Sequence, residues 1–449
     1  MAIDRENEIV YAPTGSAAFD FYGGDRHGAN LFANCIIALD ANTGKRKWHY
    51  QIVHHDIWDR DIPAPPNLFT FQSGSKLIPA LAQVTKQGHV FVFNRLTGEP
   101  LFPIEEQAVG TSDIPGEQTH PTQPIPLKPK PFTRQAFTKD DLYSEVADRD
   151  EILNLLAASR SGRAYIPITR QRTIIFPGTD GGAQWGGAGM DKDGVIYVPA
   201  KEIPVFTSLT DAPHAEQTTS GKKLYQLHCA SCHQANLAGD HSGAYPSLLG
   251  LSKRATDKEI HHLLQTGRGM MPPFTQMSDT ERNVIVSFIM GKKDTLLHVD
   301  PVKAKTQVPY VHTGYNRWYD RNGYPVSKPP WGTLTAISLQ TGEHLWQVPL
   351  GEFIQLSERG IPPTGTDNYG GPLITDSGLI FIAATPDKKF RAFDKSSGKL
   401  LWETHLPAAG YASPSTYAVA GRQYIVIACG GGKLRSKSGD KYLAFALND

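Results

Sequence analysis

The chain of 449 residues is long enough for two or three domains, and its 45 lysines and arginines balance 44 aspartates and glutamates. This balance removes any electrostatic reason to expect nucleic acid or an anionic membrane surface as a partner. No apolar run approaches the roughly 18 residues of a membrane helix, so we expect no transmembrane segment in this chain. No signal peptide is recognisable at the N-terminus.

The 42 glycines and 33 prolines favour many turns between short strands, and a repeated pattern supports this interpretation. Each copy has a small or β-branched residue, a Thr-Gly or Ser-Gly turn, and an aromatic residue at the same spacing. The four copies are Ala38 to Trp48, Val92 to Phe102, Ala336 to Trp346 and Ala392 to Trp402. The pattern predicts the blades of a β-propeller, with each aromatic residue packed on the next blade. Four unrelated hairpins are the alternative, against which the shared spacing and turn argue.

We expect about five blades, two of them incomplete. The first blade would lack its innermost strand, because the chain begins almost directly on residues 8–12, and the last would lack its fourth strand. In the third blade, we expect residues 172–177 and 195–200 to form the inner strands, and residues 332–339 and 344–348 the outer strands. An inserted domain would lie between these pairs, since propeller loops tolerate insertions whose ends lie close together.

The most specific motif is Cys229-Ala230-Ser231-Cys232-His233, a C-x-x-C-H run typical of covalent c-type haem attachment. Cys229 and Cys232 would form the thioether bonds, and His233 would bind the haem iron from one side. Met271 is the candidate for the other side, where a methionine ligand raises the reduction potential. Two neighbouring methionines remain as rivals, Met270 and Met277.

A zinc site or a redox-active C-x-x-C motif is the alternative interpretation of this run. A zinc site needs a second pair of ligands, but the other two cysteines, Cys35 and Cys429, stand alone and far away in the sequence. A thioredoxin-type motif needs a βαβ context, which the sequence does not predict here. We therefore expect haem c, and we expect Cys35 and Cys429 to be buried free thiols.

Helical patterns surround the haem motif. Residues 220–228 indicate a short helix, and the capping boxes Thr256 to Glu259 and Ser278 to Glu281 indicate two more helix starts. Together, residues 213–297 resemble a class I cytochrome c. We therefore divide the chain into propeller blades over 1–212, a cytochrome c domain over 213–300 and further propeller blades over 301–449.

Outside the cytochrome, the chain resembles the quinoprotein dehydrogenases that use pyrroloquinoline quinone (PQQ), most closely the membrane glucose dehydrogenase branch. The segments that carry the resemblance are WHYQIVHHDIWD at 48–59, DFYGGDR at 20–26, QWGG at 184–187, YGGP at 369–372 and the blade at 392–402. The cytochrome resembles the inserted haem domain of some members. The resemblance implies an eight-bladed propeller, of which about three blades would precede the first residue of this chain.

The resemblance also implies roles for individual residues. Asp56 would be the general base that takes the proton of the substrate hydroxyl group while hydride passes to PQQ, and Lys86 would hydrogen-bond the quinone oxygens. Gln184 and Trp185 would lie near the cofactor, and a divalent ion, usually calcium, would polarise the quinone carbonyl. Two residues depart from the family pattern, since Lys201 and Ser16 stand where the family has asparagines that bind the cofactor or lie near the metal.

The sequence thus predicts a quinohaemoprotein dehydrogenase that oxidises a sugar, polyol or other alcohol through PQQ. It would pass electrons to its own haem c and then to a cytochrome or quinone acceptor. We expect a periplasmic location, because haem c is attached outside the bacterial cytoplasm. The alternative hypothesis is a non-catalytic electron-transfer subunit that needs a separate N-terminal chain to complete the propeller. A truncated product is a third interpretation.

Overall fold

The computed structural model describes residues 1–212, 218–239, 245–268, 271–298, 308–434 and 436–447. The chain forms two compact units, one made of Met1–Phe206 with Arg317–Asp449 and the other of Thr207–Asn316. We call them the strand unit and the helical unit. The predicted division at residues 213 and 300 stays a prediction. Met270, one of the rival haem ligands, lies outside the described residues.

The strand unit begins with two antiparallel sheets. The first has four strands, β1 (Ala2–Asp4), β2 (Ile9–Pro13), β3 (Cys35–Asp40) and β4 (Arg46–Gln51). The second has three strands, β5 (Asn67–Ser73), β6 (Lys76–Val84) and β7 (Val90–Asn94). Strand β1 pairs with β2 from Ala2↔Tyr11 to Asp4↔Ile9. The prediction that the first sheet lacks its innermost strand is therefore wrong, because the three residues Ala2–Asp4 form that strand.

A long excursion follows the second sheet. It contains the hairpin β8 (Ile104–Ala108) and β9 (Thr122–Pro126), a single turn at Lys139–Asp141, the helix α1 (Arg149–Ala157) and β10 (Thr173–Ile175). Ile152 and Leu156 of α1 pack in a core with Trp318 and Trp331. The Thr138 capping box closes only the single turn at Lys139–Asp141, and α1 begins separately at Arg149.

The third sheet is split by the helical unit. Its strands β11 (Gly189–Met190) and β12 (Val195–Lys201) precede that unit, and its remaining two strands follow it. The insertion point is therefore between the second and third strands of a sheet, as predicted. The predicted innermost strand at 172–177 is wrong, because β11 occupies that place in the ladder. The prediction followed the longer apolar run, whereas the two residues of β11 carry little strand signal.

The helical unit is built from short elements. In chain order the structure gives β13 (Val205–Thr207) at the first border, β14 (Leu209–Asp211), β15 (Thr218–Ser220), α2 (Gly221–His228), α3 (Ala230–His233), α4 (Asp257–Thr266), α5 (Asp279–Ile289), β16 (Leu296–His298), β17 (Tyr310–His312) and β18 (Asn316–Arg317) at the second border. Both predicted capping boxes are confirmed, at Thr256 for α4 and Ser278 for α5. Helices α2, α4 and α5 enclose one apolar core.

The rest of the strand unit consists of two strands of the third sheet, one short helix and two further sheets. They are β19 (Gly332–Ser338) and β20 (Glu343–Pro349) of the third sheet, the helix α6 (Ile354–Ser357), a fourth sheet of β21 (Leu373–Ile374), β22 (Leu379–Ile382), β23 (Lys389–Asp394) and β24 (Leu400–His405), and a last sheet of β25 (Ser415–Val419), β26 (Arg422–Cys429) and β27 (Lys441–Phe445). The last sheet has three strands, as predicted. In the described part of the chain, no helix is both long and apolar enough to cross a bilayer.

The repeated pattern marks equivalent positions in three sheets. Alanine and tryptophan face each other as cross-strand partners, and a β-bulge follows directly. The pairs are Ala38↔Trp48, Ala336↔Trp346 and Ala392↔Trp402. The small alanine leaves room for the large ring on the opposite strand. The sequence repeat is therefore a structural repeat of one hairpin.

Two of these tryptophans, Trp48 and Trp346, contact the turn of the next sheet. The indole nitrogen of Trp48 donates a hydrogen bond to the Arg95 carbonyl at 2.9 Å, and that of Trp346 donates to Lys395 at 3.1 Å. A Cβ at Gly98 would lie 2.8 Å from the Trp48 ring, and one at Gly398 would lie 2.6 Å from Trp346. Both turns therefore need glycine for close approach as well as for their positive φ. The predicted packing between blades is confirmed at these two interfaces.

Candidate active site

The segment between β4 and β5 is fastened by the carboxylate of Asp56, the predicted general base. Its side chain is 2% exposed. The carboxylate accepts hydrogen bonds from four donors, which are the backbone N–H groups of Trp58 (2.8 Å) and Arg60 (2.6 Å), the Asn34 amide (2.8 Å) and the Ser16 hydroxyl (2.6 Å). Three of these donors meet at Oδ2 and the Trp58 N–H binds Oδ1, so the carboxylate fastens the surrounding segment through both oxygens. We call this group the Asp56 anchor.

Lys86, which follows β6, meets the carboxylates of Asp59 and Asp61. Its Nζ lies 3.2 Å from Asp59 Oδ1 and forms a closer ion pair with Asp61. Lys86 is only 6% exposed. We call these three residues the Lys86 triad. The carboxylates that pair with Lys86 are thus those of Asp59 and Asp61, whereas Asp56, the predicted base, belongs to the Asp56 anchor.

The charges of the Lys86 triad do not balance, because one ammonium group faces two carboxylates. Burial alone would lower the pKa of Lys86, but Asp59 and Asp61 outweigh it and raise that pKa. Burial raises the pKa of Asp59 well above its ordinary value, with Lys86 opposing and Asp61 adding to the rise. A buried carboxyl group with a raised pKa holds a proton more readily than an ordinary aspartate. Asp59 therefore has the properties of a proton acceptor.

The loop before β11 packs directly on Lys86. A Cβ at Gly181 would lie 2.5 Å from the Lys86 Cβ, so only glycine fits there. This loop carries the predicted cofactor residues Gln184 and Trp185. The Gln184 amide donates to the Asp180 carbonyl at 3.0 Å and so belongs to its own turn. Trp185 is 46% exposed and stacks on Tyr369, with ring centroids 6.3 Å apart. It therefore offers an open aromatic face beside the buried charges.

Tyr369 brings two further lysines to the same region. Lys201 Nζ lies 3.4 Å from the centroid of the Tyr369 ring, and Lys433 Nζ lies 3.9 Å from it. Burial lowers the pKa of Lys201 to about 7, although Asp367 opposes the effect. Burial and the charge of Lys201 lower the pKa of Lys433 to about 7 as well. We call these three residues the Tyr369 cluster.

Asp367 and Arg317 hold the Tyr369 cluster in place. Arg317 lies 3.2 Å from Asp367 Oδ2 and donates to the Tyr369 hydroxyl at 2.6 Å. It also forms a close ion pair with Asp180. Lys201 Nζ is 3.6 Å from Asp367 Oδ1, too long for a hydrogen bond. Neither of these two atoms has a hydrogen-bond partner among the described residues.

Most residues of the Lys86 triad and around Tyr369 were not predicted from the sequence. Lys86, Trp185 and Lys201 were predicted as site residues, whereas the others were not, namely Asp59, Asp61, Arg317, Asp367 and Lys433. A signal for two of them was present, since Asp59 and Asp61 alternate directly after Trp58. No local signal marks the others, because they come from distant loops. Among the residues that the structure describes, no group of three or more histidine, cysteine, aspartate or glutamate side chains could hold a metal ion.

The helical unit places the predicted haem residues in a compact core. Cys229 is buried and Cys232 is partly buried, both without a disulfide. The ring of His233 is oriented by a 2.9 Å hydrogen bond between Nδ1 and the Pro246 carbonyl. Met271 lies partly buried against the apolar core, whereas Met277 is 5% exposed and packed inside it. Met277 is thus used in packing, whereas Met271 lies against the outside of the same core.

Helices α2 and α5 cross at a glycine. A Cβ at Gly221 would lie 2.1 Å from the Val284 carbonyl oxygen and 2.9 Å from Phe288. Any side chain at Gly221 would push the two helices apart. This close crossing fixes the start of α2, at whose end the cysteines stand.

Comparisons with known proteins show the family of the chain. The family model "PQQ: glucose/ethanol/alcohol dehydrogenase, β-propeller domain" matches residues 1–256 and 244–425. The quinate/shikimate dehydrogenase (quinone) of Acinetobacter baylyi is 31% identical, with 100% of this chain and 48% of that protein aligned. The quinoprotein glucose dehydrogenase of Escherichia coli strain K12 is 30% identical with the same coverage. The chain thus spans about half the length of these curated relatives.

Solved structures show the same fold. A europium-containing methanol dehydrogenase gives a TM-score of 0.53 at 16% identity, covering 96% of this chain and 50% of that one. The quinohemoprotein alcohol dehydrogenase of Comamonas testosteroni gives 0.50 at 20% identity, covering 95% and 43%. With the family match, these show that the chain belongs to the β-propeller family of PQQ-dependent glucose, ethanol and alcohol dehydrogenases.

Proposed function

We propose that this chain carries the reactive centre of a dehydrogenase that oxidises a sugar, a polyol, a quinate-type hydroxy acid or another alcohol with PQQ. The observation that carries the proposal is the Lys86 triad, a buried ammonium group between two carboxylates beside the open face of Trp185. Oxidation of an alcohol needs a proton acceptor and a cation near the developing negative charge. The triad supplies both.

The residues present fit PQQ, a planar quinone that carries carboxylates. Trp185 offers an aromatic face, and Lys86, Lys201 and Lys433 offer positive charge in a largely buried setting. The Nζ atom of Lys201 has no hydrogen-bond partner among the described residues, as expected of a donor reserved for a ligand. When bound, PQQ accepts the two electrons that leave the alcohol carbon as hydride.

Asp59 is better suited than Asp56 to take the hydroxyl proton. Both oxygens of Asp56 are engaged by the Asp56 anchor, with three donors on Oδ2 and one on Oδ1, so this carboxylate already fastens the surrounding backbone. Asp59 instead faces Lys86, and burial raises its pKa. Protonated Lys86 stabilises the Asp59 carboxylate before proton transfer, and Asp61 keeps Lys86 charged afterwards. The assignment of Asp56 as the base came from the resemblance, and the geometry favours a supporting role for it.

Calcium remains an inference from the family. The described residues do not offer three carboxylate or histidine ligands at one place, so they do not by themselves fit a bound calcium ion. Ser16, at the position where the family has an asparagine near the metal, donates its hydroxyl group to Asp56. We therefore derive no step through calcium.

We further propose that the helical unit binds haem c covalently through Cys229 and Cys232. The hydrogen bond between His233 Nδ1 and the Pro246 carbonyl fixes the orientation of the ring, as proteins do for an axial histidine. Met271 would be the second axial ligand. The haem would take electrons one at a time and pass them to a cytochrome or quinone in the periplasm. Placing it on the same chain keeps the acceptor at high effective concentration.

A second candidate function is an electron-transfer subunit whose propeller is completed by further blades. The observation that favours it is Trp402, which occupies the repeat position of Trp48 but is 41% exposed, against 9% for Trp48. Its ring meets Phe445 at 5.7 Å, and no glycine among the described residues has the Trp402 ring among its nearest neighbours, as Gly98 has the ring of Trp48. A further strand beside β27 with a turn like that of Gly98 would cover Trp402. A separate chain could supply it.

The test is a titration of the purified, haem-loaded chain with PQQ, with and without calcium, while haem reduction is followed after addition of glucose, glycerol or quinate. Haem reduction that requires both PQQ and a substrate would support the dehydrogenase. A haem that ascorbate reduces, but that PQQ with any substrate does not, would support the electron-transfer subunit. Adding the corresponding upstream half of the propeller would then be expected to restore activity.

The haem assignment has its own test. Met271→Ala is expected to retain covalent haem but to lower the reduction potential and change the axial-ligand spectrum. Met277→Ala is the matched control, expected to reduce stability because Met277 lies in the core, but to leave the spectrum unchanged. An unchanged spectrum in Met271→Ala would contradict the assignment of Met271 as the ligand.

A further inference from the structure

Three loops of the strand unit meet at the side chain of His55, the residue before Asp56. They are the loops between β2 and β3, between β4 and β5, and between β8 and β9. The side chains of His55 and Glu117 are 0% and 2% exposed. His55 Nε2 lies 2.8 Å from Glu117 Oε1, and Nδ1 lies 2.7 Å from the Gly28 carbonyl oxygen. Both ring nitrogens therefore face an oxygen that accepts hydrogen bonds.

A neutral histidine has one N–H group, so it cannot donate to both of these oxygens. The second proton would otherwise have to sit on the Glu117 carboxyl group, which would then donate to Nε2. Glu117 already accepts hydrogen bonds from the backbone N–H groups of Gly23 and Gln118. Burial alone would raise the pKa of Glu117, but the hydrogen bonds from His55, Gly23 and Gln118 outweigh burial and lower that pKa. The ionised form of Glu117 is therefore favoured, which leaves both protons on His55.

The backbone beside His55 is fastened by the same loop that carries Gly28. The His55 N–H donates to the Ala29 carbonyl at 3.1 Å, and the Arg26 guanidinium group donates to the Asp56 carbonyl at 2.7 Å. His55 and Asp59 have φ angles of +44° and +56°, which such residues keep only where the surrounding structure holds them. The segment that carries Asp56 and Asp59 therefore depends on outside contacts for its conformation.

We propose that His55 is a positively charged histidine, held between Gly28 and Glu117, and that it positions the segment that carries Asp59. This inference rests on the proposed dehydrogenase function and adds a positioning residue to it. A hydrogen bond from a charged imidazolium group to a carboxylate is about twice as strong as a neutral one. The other charged groups near the pair are Arg26 and the aspartates that interact with it, Asp56, Asp25 and Asp20.

The neighbouring residue His54 gives an internal comparison. Its Nε2 atom lies 3.2 Å from Glu106 Oε1, but the Glu106 side chain is 49% exposed, so water can replace that contact. Burial lowers the pKa of His54, although Glu106 opposes the effect. Two adjacent histidines, each paired with a glutamate, should therefore differ in charge. We expect His54 to be neutral and His55 to be charged at pH 7.5.

NMR of the full chain, labelled with ¹⁵N in its histidine rings, reads both charge states at pH 7.5. The signals are assigned by their loss in His54→Gln and His55→Gln or, if His55→Gln does not fold, by their shift in Glu117→Gln. We expect two protonated ring nitrogens in His55 and one in His54. An unprotonated ring nitrogen in His55 would overturn the proposal. Because the spectrum is that of the unaltered chain, it does not depend on the dehydrogenase function.

Glu117→Gln tests the positioning role, and Glu106→Gln is the matched control at the exposed pair. In PQQ-dependent dye reduction, we expect Glu117→Gln to lower kcat by about 10²-fold with little change in KM, because a small displacement of a reacting group costs about that much. Amide hydrogen exchange of residues 52–62, measured by mass spectrometry, should also become about tenfold faster. Glu106→Gln should leave kcat, KM and exchange unchanged.

A double variant tests whether the two residues act through one contact. His55→Gln with Glu117→Gln should then lose no more kcat than the worse single variant, and additive losses would contradict the shared contact. If exchange becomes faster in Glu117→Gln but kcat does not fall, the pair is only structural and the proposal is wrong. If no form of the chain oxidises an alcohol, the dehydrogenase function fails, while the NMR spectrum and hydrogen exchange still decide the role of His55.

Discussion

The Asp56 anchor and the Tyr369 cluster are both built from buried charged groups, but they differ in how those groups are satisfied. Both carboxylate oxygens of Asp56 have hydrogen-bond donors, at distances of 2.6–2.8 Å. In the Tyr369 cluster, Lys201 Nζ and the neighbouring Asp367 Oδ1 lack a hydrogen bond within the described part of the chain. A satisfied buried charge stabilises a fold, whereas an unsatisfied one costs free energy and marks a site kept for a ligand.

The Lys86 triad lies between these extremes, because one cation serves two carboxylates. It keeps Lys86 charged and leaves Asp59 able to take a proton. The comparison predicts different roles for the three aspartates at positions 56, 59 and 61. We expect Asp56 to support the local fold, Asp59 to accept the proton and Asp61 to contribute its charge. Substitutions should separate these roles through stability and activity.

The largest expected effect is that of Asp59→Asn on catalysis. Removal of a general base typically costs about 10²–10⁴ in rate, so PQQ-dependent dye reduction should fall by that factor. Stability should change little or rise, because the substitution removes one of two carboxylates that share Lys86. Full activity in Asp59→Asn, measured as kcat/KM, would transfer the role of base to another group.

Trp48→Ala tests how much a well-packed tryptophan at the interface between two sheets stabilises the chain. Trp48 is 9% exposed and packs on Gly98, so truncation should lower the free energy of unfolding by about 3–5 kcal/mol. Trp402→Ala is the control at the equivalent repeat position, where 41% exposure predicts a loss of only about 1–2 kcal/mol. Denaturation in urea measures both. Equal losses would show that Trp402 is already covered.

Asp56→Asn should destabilise the chain by about 2–3 kcal/mol, because the asparagine amide would place a donor against the donors of the Asp56 anchor. Urea denaturation measures the loss. Activity per folded molecule should fall much less than in Asp59→Asn. If Asp56→Asn instead unfolds at the wild-type denaturant concentration and is inactive, Asp56 is the base that the resemblance implied.

The smallest expected effect concerns Lys201 and pH. Since burial lowers the pKa of Lys201 to about 7 in the folded chain, the unfolded chain binds more protons between pH 7 and about 10.4. This lysine therefore makes the stability rise with pH across that window. Lys201→Met should flatten the rise and raise the stability at pH 7 by about 1–3 kcal/mol, the cost of an unsatisfied buried group. A slope unchanged by Lys201→Met would contradict the unsatisfied state of this lysine.

Elements of the fold could be predicted from the sequence where a local residue pattern determines them. The capping boxes at Thr256 and Ser278, and the alanine–tryptophan hairpins, are local patterns, and the structure has them where they were predicted. Strands of two or three residues such as β11 and β1 exist only because a neighbouring strand pairs with them. Such strands carry no readable pattern of their own.

The same reasoning applies to the site. Lys86 and Trp185 could be named from segments that resemble a family, but the partner of Lys86 could not be derived from spacing. Asp56 and Asp59 lie three positions apart, and only the folded segment shows which carboxylate faces the lysine. Lys433 comes from a loop more than two hundred residues from Lys201, so their meeting at Tyr369 depends on tertiary contacts.

The insertion point in the third sheet has a consequence for the order of folding. Strands β12 and β19 pair from Val195↔Ser338 to Lys201↔Gly332, so this ladder must close across the whole inserted unit. An open loop of that length slows pairing, since loop closure loses chain entropy before any contact forms. Within the helical unit, β14 and β17 pair from Leu209↔His312 to Asp211↔Tyr310 and hold its two ends together. If the helical unit folds first, β12 and β19 are already close together and pair faster. Maturation of the helical unit would then limit the rate at which the third sheet is completed.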